Sequence, residues 1–142
     1  MTIAELMEKM IAFSNGERQD IDHFIRVWTF ARTIAEGEGL DAQTQFILEA
    51  AAITHDIACP LCREKYGYTN GKYQEREGAP MARRFLEGSG LSSEQIERIV
   101  WLVGETVAGL FSFRQALQNH HEKGGLFDGK RNDRDRRRAL LR

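Results

Sequence analysis

The sequence predicts an all-α fold, a bundle of helices within one domain. Apolar side chains recur at intervals of three and four residues along most of the first 104 residues, which places them on single faces of helices. The sequence has neither strand-like alternation nor hairpin signals. At 142 residues, 42% hydrophobic and 29% charged, the chain is long enough and apolar enough to bury a core.

We expect five helices before residue 105, each bounded by residues that favour helix starts or stops. The first helix ends at Asn15-Gly16, and the second is capped by Asp20 or Asp22 and ends at Gly37 and Gly39. The third is capped by Asp41 and broken by Pro60. The fourth begins near Ala79-Pro80 and ends at Gly88-Ser89-Gly90, and the fifth is capped by Ser92 or Ser93.

Residues 61–77 have many charges and no apolar period, so we expect a long loop there. Long loops inside compact domains often belong to functional sites. Three of its four cations, Lys65, Lys72 and Arg76, are candidates for binding phosphate charge, and the alternative is that they belong to a solvated charged loop.

The chemistry-bearing residues are the histidines, of which the chain has four. His23 lies in the first turns of the second helix, and His55-Asp56 follows the most apolar helix of the chain. A borderline divalent cation accepts imidazole nitrogen and carboxylate oxygen together. Adjacent residues of a helix point about 100° apart, so His55 and Asp56 can meet one ion only at the end of their helix. The alternative is that these are ordinary hydrogen-bonded residues near a core.

An ordered set of segments resembles the HD-domain superfamily of metal-dependent phosphohydrolases, in particular its short bacterial members. The segments are DIDHFIRVWTFARTIAEGEGL, ILEAAAITHDIA, REKYG, GKYQEREGAPMARRFLE and SEQIERIVWLVG, and they cover roughly residues 20–104.

The resemblance implies a helical bundle with a divalent ion, Mn, Mg, Fe or Zn, held between the helices. His23 matches the family's first histidine ligand, and His55 and Asp56 match its name-giving doublet. It further implies hydrolysis of a small phosphorylated or nucleotide substrate, with Asp56 as a catalytic ligand and with Lys65, Lys72 and Arg76 as substrate contacts.

The resemblance weakens after Gly104, because the expected run of histidines and a later aspartate ligand are missing from their places. His120, His121 and Asp128 are either displaced counterparts or residues of a polar loop. We therefore expect a catalytically weak or inactive protein, in which residues 105–120 or a homodimer cover the exposed core. The second reading is a non-catalytic HD-like module for metal binding or assembly. The abrupt ending fits either a reading-frame change or a truncation.

We divide the chain into a single HD-like domain, residues 1–128, and a basic tail, residues 129–142, which we expect to be frayed. The tail has a net charge of +5, but it has no aromatic platform, so we do not expect nucleic acid as a partner. Cys59 and Cys62 form half of a zinc-knuckle pattern without a second pair, and we interpret them as incidental thiols. Without a signal peptide or an apolar span, we expect a cytoplasmic protein that does not contact membranes.

Overall fold

The structure, a computed structural model, describes residues 1–67 and 71–107, and these residues form an all-α bundle as predicted. It contains six helices and no strand within those ranges. The helices are α1 (Ile3–Phe13), α2 (Arg18–Glu38), α3 (Ala42–Thr54), α4 (Cys59–Tyr66), α5 (Gly71–Leu86) and α6 (Ser93–Val107). No helix in this part of the chain is both long and apolar enough to cross a membrane. The expected domain end at residue 128, the basic tail and the candidates His120, His121 and Asp128 lie outside the described residues.

Helix α3 is the central element of the bundle, and it packs against α1, α2 and α6. Its residues from Ile47 to Thr54 are all buried, and its narrow stretch Ala50-Ala51-Ala52 has no solvent exposure. Small side chains let neighbouring helices approach α3 on all sides, which explains why it lacks the one-sided apolar stripe of a surface helix. Helix α5 packs against α6 and α4 and completes the bundle.

Several helix ends follow the signals in the sequence. The Asp41 carboxylate accepts a hydrogen bond from the Thr44 backbone N–H at 2.9 Å and caps α3. The Ser92 hydroxyl accepts from the Gln95 N–H, and the Gln95 side chain accepts from the Ser92 N–H, a reciprocal cap at the start of α6. Gly39 ends α2 in the left-handed region at φ 64°, where a residue without Cβ is least strained.

The predicted loop over residues 61–77 is wrong, because α4 continues to Tyr66 and α5 begins at Gly71. Pro60 lies in the first turn of α4, where no backbone N–H is needed. It therefore belongs to the start of α4, whereas α3 has already ended at Thr54. Pro80 lies inside α5 rather than at its start. The early part of α5 is held by tertiary contacts, since the rings of Tyr66 and Tyr73 stack with centroids 3.8 Å apart.

The predicted cap of α2 is also wrong. The helix begins at Arg18 with Glu17 in the cap position, and no side chain makes a capping hydrogen bond there. Asp20 instead binds Arg63 of α4, and Asp22 lies 3.8 Å from the Arg18 guanidinium. The two carboxylates are engaged in ion pairs that the capping pattern does not reveal.

We predict that Leu48→Ala, at a fully buried position of α3, lowers the free energy of unfolding by about 2–5 kcal/mol. The loss combines apolar surface no longer removed from water with a cavity that close-packed neighbours cannot fill. Phe30→Ala is the control, because Phe30 is 61% exposed and its loss should change the free energy by no more than about 0.5 kcal/mol. Chemical denaturation measures both, and equal values would contradict the central position of α3.

Candidate metal centre

His55 and Asp56, the HD doublet, lie directly after the end of α3, where the chain forms a turn. Helix α3 ends at Thr54, His55 is its C-cap, and the turn continues to α4 through hydrogen bonds from the Ile57 N–H to the Thr54 carbonyl and from the Cys59 N–H to the Asp56 carbonyl. His55 keeps helical dihedral angles, φ −59° and ψ −34°, but the Ile57 N–H bonds the carbonyl three residues back rather than four, so the regular helix ends here. The two adjacent side chains converge, with Asp56 Oδ2 3.1 Å from His55 Nε2. The expected position of the doublet at a helix end is therefore confirmed.

His23 of α2 meets the doublet although 32 residues separate it from His55. The two Nε2 atoms are 3.2 Å apart. Asp56 Oδ2 lies 2.9 Å from His23 Nε2 and 3.1 Å from His55 Nε2. The packing of α2 on α3 thus places one nitrogen or oxygen atom from each of three residues in a tight triangle.

A backbone carbonyl on the side away from Asp56 fixes the orientation of the His55 ring. Its Nδ1 lies 2.7 Å from the Ala52 carbonyl oxygen, which can only accept a hydrogen bond. The proton of a neutral His55 must then be on Nδ1, and Nε2 presents a lone pair to Asp56. A backbone carbonyl behind the second ring nitrogen is the usual arrangement of a histidine that binds metal.

This triangle attracts positive charge. Burial disfavours the charged form of His55, but the hydrogen bond and negative charge of Asp56, together with the Ala52 carbonyl, raise its pKa. Burial likewise disfavours the Asp56 carboxylate, but the hydrogen bonds and charges of His55 and His23 lower its pKa. Lone pairs of nitrogen and oxygen at about 3 Å repel each other unless a proton or a cation lies among them.

The donor set fits a divalent cation. The three ligand atoms lie within 4.8 Å of one another, and among the described residues they are the one such group of histidine, cysteine and acidic side chains. Neighbouring ligand atoms around an ion with bonds of about 2.1 Å are about 3.0 Å apart in octahedral and about 3.4 Å apart in tetrahedral geometry, and the distances found here are 2.9–3.2 Å. His23, His55 and Asp56 could therefore hold one ion together.

The triangle opens into a cleft of about 780 Å³ between α2 and the start of α4. His23 and Asp56 line this cleft, and the Asp56 side chain is 26% exposed, so the site is reachable from solvent. The cleft also contains three arginines, Arg18, Arg26 and Arg63. A concave site of this size accommodates a small molecule.

Arg63 is a cleft residue that the sequence pattern did not indicate. Its guanidinium binds the Asp20 carboxylate with both terminal nitrogens, one of them at 3.0 Å, and so ties α4 to the first turn of α2. The two residues are 43 positions apart, and no local motif links them. This ion pair forms part of the cleft wall beside the His/Asp triangle.

The three cations expected at the substrate do not line the cleft. Lys65 donates a hydrogen bond to Glu77 at 3.0 Å, and Glu77 also accepts from the Tyr66 hydroxyl at 2.8 Å. Lys72 and Arg76 are exposed on α5. The assignment of all three to substrate stays a prediction from the sequence.

Cys59 and Cys62 are free and buried in α4, and neither joins the His/Asp triangle. The Gln74 amide donates a hydrogen bond to Cys59 Sγ at 3.0 Å. Burial, reinforced by the negative charges of Asp56 and Asp20, raises the pKa of Cys59 to about 12. The interpretation of both cysteines as incidental thiols stays a prediction from the sequence.

Comparison with known families agrees with the geometry. The family model of the HD domain matches residues 20–126, which span α2 to α6 and continue beyond Gly104, where the resemblance seen in the sequence weakens. No curated protein and no solved structure matches the chain. The match covers most of the chain and includes all three residues of the triangle. The protein therefore belongs to the HD domain family.

Proposed function

We propose that this protein is a metal-dependent phosphohydrolase that acts on a small phosphorylated or nucleotide substrate. The observation that carries the proposal is the convergence of His23, His55 and Asp56 on one point of an open cleft. Membership of the HD domain family supports the reaction class. The identity of the ion, Mn, Mg, Fe or Zn, stays open, as do the predicted cytoplasmic location and homodimer.

In this proposal the three side chains hold a divalent cation. When bound, such an ion polarises a phosphoryl oxygen and lowers the pKa of a water molecule. His55 contributes the lone pair of Nε2, because the Ala52 carbonyl keeps the imidazole proton on Nδ1. His23 contributes Nε2 from the opposite helix, and its greater exposure places it on the side of the incoming substrate.

Asp56 has two roles available to it. Its Oδ2 atom faces both histidines, whereas no hydrogen bond to Oδ1 occurs within the described part of the chain. The lowered pKa of Asp56 keeps the group a carboxylate, which accepts protons or hydrogen bonds but does not donate them. We assign Oδ1 to orienting the attacking water within the cleft.

A non-catalytic metal-binding or assembly module is the second candidate. One observation favours it: the described residues supply three ligands, whereas the family resemblance implies an additional aspartate from a later helix. Three protein ligands suffice for catalytic ions in other enzymes, with the remaining positions left to water and substrate. Metal content and turnover measured on the same sample distinguish the two candidates.

We predict that Asp56→Asn retains the fold but loses most bound metal, and that phosphoesterase activity falls by at least about a hundredfold. The amide has almost the same shape as the carboxylate but supplies no charge to balance the cation. Metal content is measured by plasma mass spectrometry, and activity by release of para-nitrophenol from its phosphate monoester and diester.

Glu87→Gln is the matched control for that experiment, since it removes an acidic group at an exposed position beyond the end of α5. It should leave both metal content and turnover unchanged. Full turnover by Asp56→Asn would reject Asp56 as a ligand. Metal retention by the wild type without any turnover would favour the non-catalytic module.

We also predict that binding of Mn²⁺ to the metal-free protein releases a proton and weakens as the pH falls. The raised pKa of His55 keeps its imidazole protonated to a higher pH than in a free histidine, and the metal can bind only the neutral imidazole. Below the pKa of His55, the apparent affinity should fall by up to about tenfold for each pH unit. Calorimetry in two buffers of different ionisation enthalpy counts the protons. An affinity that is constant from about pH 6 to 8 would contradict this assignment.

A further inference from the structure

We propose that Arg26 binds the phosphate group of the substrate in the cleft beside His23. The inference rests on the proposed function, and it names a binding residue that neither the family match nor the sequence pattern assigns. It follows from the charges that line the cleft and from the way in which they are paired.

Two of the three cleft arginines are already engaged. Arg63 binds the Asp20 carboxylate with both terminal nitrogens, and the Glu17 carboxylate of the cleft wall adds further negative charge near it. Such a bidentate pair offers little to a third group, because an incoming phosphate would have to displace a carboxylate. Arg63 therefore shapes the cleft rather than binding the substrate.

Arg18 is a weak candidate for a different reason. It lies 3.8 Å from Asp22, four residues further along α2, and its side chain is 91% exposed. The Asp22 carboxylate offsets part of the guanidinium charge, so Arg18 offers less positive charge to an anion than an arginine without such a neighbour.

Arg26 is exposed like the other two arginines but differs from them in its ion pairing. It lines the cleft, but it makes no ion pair with any residue in the described ranges. The nearest acid along the same helix face is Asp22, one turn earlier, and that carboxylate faces Arg18. Arg26 is thus a cation in the cleft whose hydrogen-bond donors are open to a ligand.

The position of Arg26 suits a group bound at the triangle. It follows His23 by three residues on α2, and side chains with this spacing lie on one helix face with Cβ atoms about 5–6 Å apart. A phosphate that approaches the His23 side of the triangle is then within reach of the long arginine side chain. The guanidinium fork matches two phosphate oxygens, so it holds the group in one orientation.

The experiment measures binding of inorganic phosphate to the full-length, Mn²⁺-loaded protein by calorimetry. Arg26→Gln should raise the dissociation constant for phosphate by about tenfold to a hundredfold, which is the usual loss for a charge-assisted hydrogen bond. Arg26→Lys should recover part of the affinity through its charge but not the paired geometry. Mn²⁺ stoichiometry should be unchanged in both variants, because Arg26 is not a ligand.

Arg84→Gln is the control, since Arg84 is an exposed arginine of α5 outside the cleft, and it should bind phosphate like the wild type. Unchanged phosphate affinity in Arg26→Gln, or no phosphate binding by the Mn²⁺-loaded wild type, overturns the inference. Turnover of para-nitrophenyl phosphate is measured in parallel. If the wild type turns over the substrate and Arg26→Gln binds phosphate as tightly as the wild type, the proposed function stands and only the role of Arg26 is rejected. Arg26-dependent phosphate binding without turnover supports the anion site and rejects the hydrolase.

Discussion

The end of α3 after Thr54 is the constraint on which the candidate metal centre depends. Adjacent side chains on a continuous helix diverge by about 100°, so a neighbouring histidine and aspartate point in different directions there. A hydrogen-bonded turn of four residues follows Thr54, and α4 then begins at Cys59 with Pro60 in its first turn. Because α3 is buried among three other helices, the point at which it ends is fixed relative to the core. His55 and Asp56, which directly follow this point, are therefore also fixed relative to the core.

His23 depends on the same core from the other side. Its helix is attached to α3 by a hydrogen bond from the Trp28 indole N–H to Glu49 at 2.7 Å, and Glu49 is only 6% exposed. An unpaired carboxylate at such a position would be costly, so this contact favours one register of α2 against α3. The run of alanines in α3 allows the close approach. A larger side chain there would separate the helices and move the two histidines apart, which couples packing in the core to the geometry of the site.

The sequence predicts which three residues form the His/Asp triangle, but it does not predict what surrounds them. His23, His55 and Asp56 were identifiable because a short motif and an ordered family resemblance marked them, and capping side chains marked the starts of α3 and α6. Residues 61–77 carry no apolar period because α4 is only eight residues long and α5 is amphipathic and polar at its start. Their helical form depends on contacts such as the Tyr66–Tyr73 stack, which no local pattern shows. The ion pair of Arg63 with Asp20 is equally invisible in the sequence, since a distance of 43 residues separates partners that only the fold brings together.

The high pKa of Cys59 has a consequence for the chemical durability of the cleft. With a pKa of about 12, only about one thiol in a hundred thousand is ionised at neutral pH. Peroxides and alkylating agents attack the thiolate, so this cysteine should withstand oxidants that inactivate enzymes with exposed, acidic thiols. The same protonated state leaves the imidazoles and the carboxylate as the available donors, and these select hard and borderline cations over soft ones such as Cu(I). The Cys59 sulfur at the wall of the cleft thus stays protonated chiefly because it is buried, and secondarily because the carboxylates beside it oppose its ionisation.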